Sequence, residues 1–102
     1  MIRYEILLPL FHNDGRPIEA DKFLATDDEL VLAFGSTSTD QVTVRGKWKY
    51  QSTVFSDQLI RIRIDVDETD ANRETMRALK EKLKGRFEQI DIWITSHCID
   101  VI

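Results

Sequence analysis

The chain has 102 residues, 42% hydrophobic and 31% charged, with 4 Gly, 2 Pro, one Cys and a net charge of −4. That length predicts a single domain over residues 1–102, large enough to bury a core without a metal or disulfide staple. The apolar content excludes wholesale disorder, no apolar run approaches the ~20 residues of a membrane span, and the negative balance gives no global pull toward nucleic acid or an anionic membrane.

The opening Met1-Ile2-Arg3-Tyr4-Glu5 lacks the basic start and long apolar middle of a secretory leader. The lone Cys98 makes no internal disulfide. Both features lead us to expect a cytoplasmic protein.

Residues 2–10 alternate early and become apolar later, which predicts a central strand ending near Pro9. Asn13-Asp14-Gly15 follows as a turn signal, because Gly accepts positive φ and Asn or Asp bonds nearby backbone. Pro17 opens a helical stretch, read as residues 18–34. Thr26-Asp27-Asp28-Glu29 matches a capping box, so a kink is expected at Ala25-Thr26. Gly35 sits where a helix-ending glycine is wanted. Ser36 to Gln41 reads as a polar loop.

Val42 to Tyr50 alternates. Val42, Val44, Trp48 and Tyr50 form one side, and Thr43, Arg45, Lys47 and Lys49 the other. Gln51-Ser52-Thr53 reads as a hairpin tip, and Leu59 to Val66 as the clearest strand. Thr69 or Asp70 caps a second helix, whose apolar stripe is Met76, Leu79, Leu83 and Phe87. Ile90 to Thr95 is a last alternating strand, with extended chain expected on to Ile102.

The order β-α-β-β-α-β predicts an α+β fold, a ferredoxin-like sandwich. Right-handed crossovers put both helices on one face of an antiparallel sheet of order 4-1-3-2. The expected helix-facing set is Ile6, Leu8, Val44, Trp48, Ile60, Ile62, Ile64, Ile90, Ile92 and Ile94.

Several segments carry a resemblance: Tyr4 to Leu10, Asn13 to Ile18, Gly46-Lys47-Trp48, Leu59 to Ile62, and Arg86 to Ile94. With these the chain resembles a group of short bacterial proteins of uncharacterised function, over nearly its whole length. The resemblance agrees with the element order and transfers no catalytic residue.

The sheet face without helices is the first place to look for a function. Alternation puts Arg3, Arg45, Lys47, Lys49, Arg61 and Arg63 there with Glu5, Asp65 and Asp91, a local balance of +3. Leu7, Leu59, Trp93, Thr95 and His97 share it. Apolar residues on a bare sheet face predict a homodimer, because two-fold symmetry lets one patch serve both partners. The leading expectation is therefore a binding or assembly module.

A second possibility is a small cofactor-independent enzyme, with His97 as base and Arg61 or Arg63 holding an anionic substrate. A third is nucleotide or single-stranded RNA binding, with Trp93 as a stacking platform. The paired aromatics of RNA-recognition sheets are missing from the third strand, which places nucleic acid last. Any small ligand is expected to be anionic and to contact Arg61, Arg63 and Trp93.

No cofactor or metal is expected. The run Asp65 to Asp70 lacks the calcium-loop pattern and suits a helix start. Two His and one Cys give no zinc spacing. His97 and Cys98 are neighbours on a strand and point to opposite faces. Cys98 is expected buried, and His12 solvated in its loop.

Overall fold

The computed structural model describes residues 1–102, apart from the side chains of Gln41 and Val42. The sequence expectation for Val42 lies outside the described residues. The elements are β1 (Ile2–Pro9), α1 (Ala20–Phe34), β2 (Ser38–Tyr50), β3 (Thr53–Val66), α2 (Asp70–Arg86) and β4 (Ile94–Cys98). The sheet is antiparallel in the order β2-β3-β1-β4, which reads 4-1-3-2 from the β4 edge.

One face of the sheet carries both helices. Ile2, Tyr4, Ile6 and Leu8 of β1 stand opposite Val66, Ile64, Ile62 and Ile60 of β3. Except for the partly buried Ile60, these residues join Leu30 of α1 and Met76, Leu79 and Leu83 of α2 in one core. Large aliphatic side chains on a two-residue strand period and a helical stripe make this packing possible.

α1 is continuous, without the expected restart at Thr26. A capping box needs an extended residue at the cap, but Thr26 sits inside the helix and is fully buried. Its Oγ1 donates to the Lys22 carbonyl at 2.8 Å and accepts from Arg86 Nη1 at 2.9 Å. Arg86 Nη2 also donates to Glu29 at 2.8 Å. The apparent capping motif is thus a polar tie between the two helices. Gly35 does end α1, with φ 88° and its N–H on the Val31 carbonyl.

α2 begins at Thr69, whose hydroxyl accepts from the Asn72 N–H at 3.1 Å. At its other end Phe87 is fully buried and meets the Phe23 ring edge-on at 5.3 Å. The Gln89 and Glu88 amides bond back to the Lys84 and Gly85 carbonyls, which closes the helix in a Schellman turn. Glu88 takes the left-handed position of that turn, at φ 53°.

The hairpin differs most from expectation. β2 already starts at Ser38, where a loop was expected, and β3 starts at Thr53. Asp40 pairs with Arg61 and Val44 with Leu59, so β2 holds two extra residues in a bulge. Beyond the bulge Val44, Gly46, Trp48 and Tyr50 stand opposite Leu59, Asp57, Phe55 and Thr53. Leu59 also stands opposite Pro9, and Arg61 opposite Leu7, on the face away from the helices. Val44 and Trp48 therefore lie on the open face and not in the core. Arg45, Lys47 and Lys49 lie on the opposite side, so the expected basic open face does not form.

β4 is shorter and later than expected, beginning at Ile94. Ile92 is buried just before it, whereas Ile90 is exposed and leaves the expected core set. No helix is long and apolar enough to cross a membrane.

Candidate functional site

The open face holds a groove of about 700 Å³ between the outer half of the β2–β3 hairpin and the chain entering β4. Leu7, Pro9, Trp48, Leu59, Ile92 and Trp93 give it an apolar lining, and its charged residues are Asp57 and Asp91 with Lys47 and Lys49. The sheet positions these groups. Leu7, Pro9 and Leu59 are odd-numbered residues of β1 and β3, which face away from the helices. Trp93 is fixed through its carbonyl, which accepts from the Leu7 N–H at 3.0 Å, while its side chain is 64% exposed.

Trp48 is held in place on two sides. Its ring stacks on Phe55 with centroids 4.6 Å apart, and its Nε1–H donates to Asp57 at 2.6 Å. Gly46 keeps the floor low, because a Cβ there would come within 3.2 Å of Leu59 Cδ1.

Beside the groove runs a ladder of charge. Arg3 donates two hydrogen bonds to Asp65, at 2.7 and 2.9 Å. That pairing holds the Asp65 carboxyl below its ordinary range. Arg63 donates to Asp40 at 2.7 Å. Arg61 lies 3.6 Å from Asp40 and 3.7 Å from Glu5. Its Nε is buried and makes no hydrogen bond. Three cations face three carboxylates here, so this part of the face is balanced where +3 was expected.

Of the ligand-contact and catalytic candidates read from sequence, Trp93 alone lines the groove, together with Leu7 and Leu59 of the expected apolar patch. Arg61 and Arg63 lie in the charge ladder. His97 stands opposite Arg3 and is exposed. Cys98 is exposed rather than buried, because it sits near the end of the short edge strand β4; its Sγ lies 3.7 Å from Glu68. Among the described residues no His, Cys, Asp and Glu cluster is arranged to hold a metal.

Sequence reasoning missed His12, which is 5% exposed and not solvated. Its Nε2 lies 3.0 Å from Glu19, and its Nδ1 lies 2.9 Å from Glu88 outside hydrogen-bond alignment. The loop closes over it: the His12 N–H donates to the Arg16 carbonyl, and the Gly15 N–H to the His12 carbonyl. The signal available was the turn Asn13-Asp14-Gly15, which folds the loop back over the imidazole. His12 thus joins the loop to the start of α1 and the end of α2.

Glu19 carries a pH consequence. Its own backbone N–H and then His12 bond its carboxylate, and its pKa falls from the usual 4.5 to about 2. A depressed carboxyl stabilises the fold above its unfolded pKa and loses that contribution as pH falls through the folded value. We expect the urea midpoint to fall as pH drops from 4.5 toward 2, and Glu19→Gln to make that fall shallower. Equal slopes in the two proteins would contradict the assignment.

No protein-family model matches the chain, and no curated protein matches it. Solved structures do. A phage SAM lyase in complex with S-methyl-5'-thioadenosine superposes with a TM-score of 0.68 at 17% identity, over 94% of this chain and 79% of that one. CutA1 from Pyrococcus horikoshii, in a mutated form, gives 0.63 at 12% identity, over 100% and 86%. The divalent cation tolerance protein CutA1 from Thermus thermophilus gives 0.63 at 15% identity, over 97% and 84%. These likenesses show the fold alone. The chain is an α+β protein with a CutA1-like arrangement of antiparallel sheet and two helices.

Proposed function

We propose that the protein is a small cytoplasmic binding and assembly module of ferredoxin-like build, which pairs with a second copy through its open sheet face. The observation that carries this reading is the apolar groove, with an indole 64% exposed at its rim. Val44, Trp48 and Leu59 are half-buried on the side no helix covers, so a second surface there would bury the apolar area they still expose. The balanced charge ladder supports self-pairing, because identical faces of strong single sign would repel.

Sedimentation velocity at micromolar concentration tests it. The wild-type chain is expected near twice its 11.9 kDa mass. Trp93→Glu is expected to sediment as a monomer, because it places a charge in a desolvated interface. A wild-type monomer, or a dimer indifferent to Trp93→Glu, would overturn the reading.

A further inference from the structure

We propose that a second groove, between α2 and the free edge of β4, binds a phosphate monoester. It has a volume of about 210 Å³, and its lining includes Tyr4, Arg73, Arg77, Lys80, Thr95 and Ser96. It opens on the helix side of the sheet, so it does not depend on pairing through the open face.

The charge is set by α2. Positions 73, 77 and 80 recur at helical spacing and fall on one helix face. Arg77 is paired with Glu74 on the same helix, and Lys80 lies 3.2 Å from Asp91. Among the described residues Arg73 has no carboxylate partner. Its guanidinium carbon lies 5.9 Å from the centroid of the Tyr4 ring. An arginine packed on a ring keeps the edge of its planar fork free for an oxyanion. Among the described residues, no carboxylate lines the groove.

Two further donors border the groove. Tyr4 lines it, and its hydroxyl is not buried away from solvent, so it is open to a ligand. The backbone of β4 supplies the other donor. The Leu7 N–H bonds the Trp93 carbonyl, and the Ile99 N–H bonds the Met1 carbonyl. Hydrogen-bonded pairs alternate along an antiparallel ladder, so Thr95 and His97 bond to β1 while Ser96 turns its N–H to the free edge. The Ser96 side chain lies on the helix side of that edge, opposite Tyr4.

A guanidinium, a phenol, a hydroxyl and a backbone N–H thus border one groove, beside two more cations that already hold carboxylates. Phosphate monoesters carry about −1.5 to −2 charge and three acceptor oxygens, which suits this donor set better than a carboxylate's two oxygens. A small molecule and a phosphorylated side chain of a partner present the same chemistry to the site.

Amide NMR of the full chain tests it. Sodium phosphate is titrated against sodium chloride at matched ionic strength. Saturable shifts at Arg73, Thr95 and Ser96 are expected with phosphate and not with chloride. Arg73→Gln should weaken the phosphate response about tenfold. Lys80→Gln, at a half-buried position already paired with Asp91, should weaken it less, and gives the same test if Arg73→Gln unfolds. Ribose 5-phosphate and an O-phosphoserine peptide then compete as carriers, and tighter binding of one than of inorganic phosphate identifies the source. Shifts shared with chloride, shifts that survive both substitutions, or binding of neither ester would overturn the proposal.

Discussion

Phe87→Ala is expected to lower the unfolding free energy by about 3–5 kcal/mol, read from urea denaturation. The ring is fully buried at the end of α2, edge-on to Phe23 of α1, so its loss opens a cavity between both helices and the sheet. The neighbouring backbone cannot collapse freely into that space. Phe87 immediately precedes the left-handed residue of the Schellman turn, Glu88, whose carboxylate lies against His12. Leu32→Ala is the control: that side chain projects into solvent, and truncating it should change stability by no more than about 0.5 kcal/mol. A loss below about 1 kcal/mol for Phe87→Ala would contradict the packing.

Arg86→Met should cost about 1.5–3 kcal/mol, the range for hydrogen bonds to a charged group. The substitution keeps an apolar stem but strips Glu29 and Thr26 of their donor. Glu29 then holds a carboxylate between the helices with its other oxygen already buried and unpartnered. The double variant Arg86→Met with Glu29→Met removes both charges. It should therefore be less destabilised than the sum of the two single variants. Additive losses would show that Arg86 and Glu29 act independently.

Much of the fold was legible because it rests on periodicity. Ile60, Ile62, Ile64 and Val66 repeat every second residue, and Met76, Leu79 and Leu83 every third or fourth. Each set faces the helix side or the core as that spacing requires. The site was less legible, for a reason the hairpin makes plain. Alternation separates the two sides of a strand but does not say which side meets the helices. Val44 and Trp48 look like core residues on hydrophobicity alone. Their facing is set by the register against β3, and the hairpin runs past the region the helices cover. His12 escaped for a similar reason. Its burial depends on Glu19 and on Glu88, the latter 76 residues away in sequence, which local composition cannot report. Thr26 shows the reverse error: a local motif read as a helix start was used for a contact with Arg86, 60 residues away.

The placement of β1 in the middle of the sheet has a cost during synthesis. Ile2–Pro9 leaves the ribosome before the other strands of this fold, yet its first partner begins pairing only at Leu59. At about 5–20 residues per second, the most apolar strand of the chain waits for several seconds without a ladder. α1 can form in that interval, but it has no sheet on which to lay Leu30. β2 can make its hairpin with β3 only when residues 53–66 appear, so the fold cannot build outward from its own beginning. Nascent chains of this protein should therefore be most prone to aggregate at lengths that end before β3 is complete, and to become protease-resistant only after residue 98 has cleared the exit tunnel.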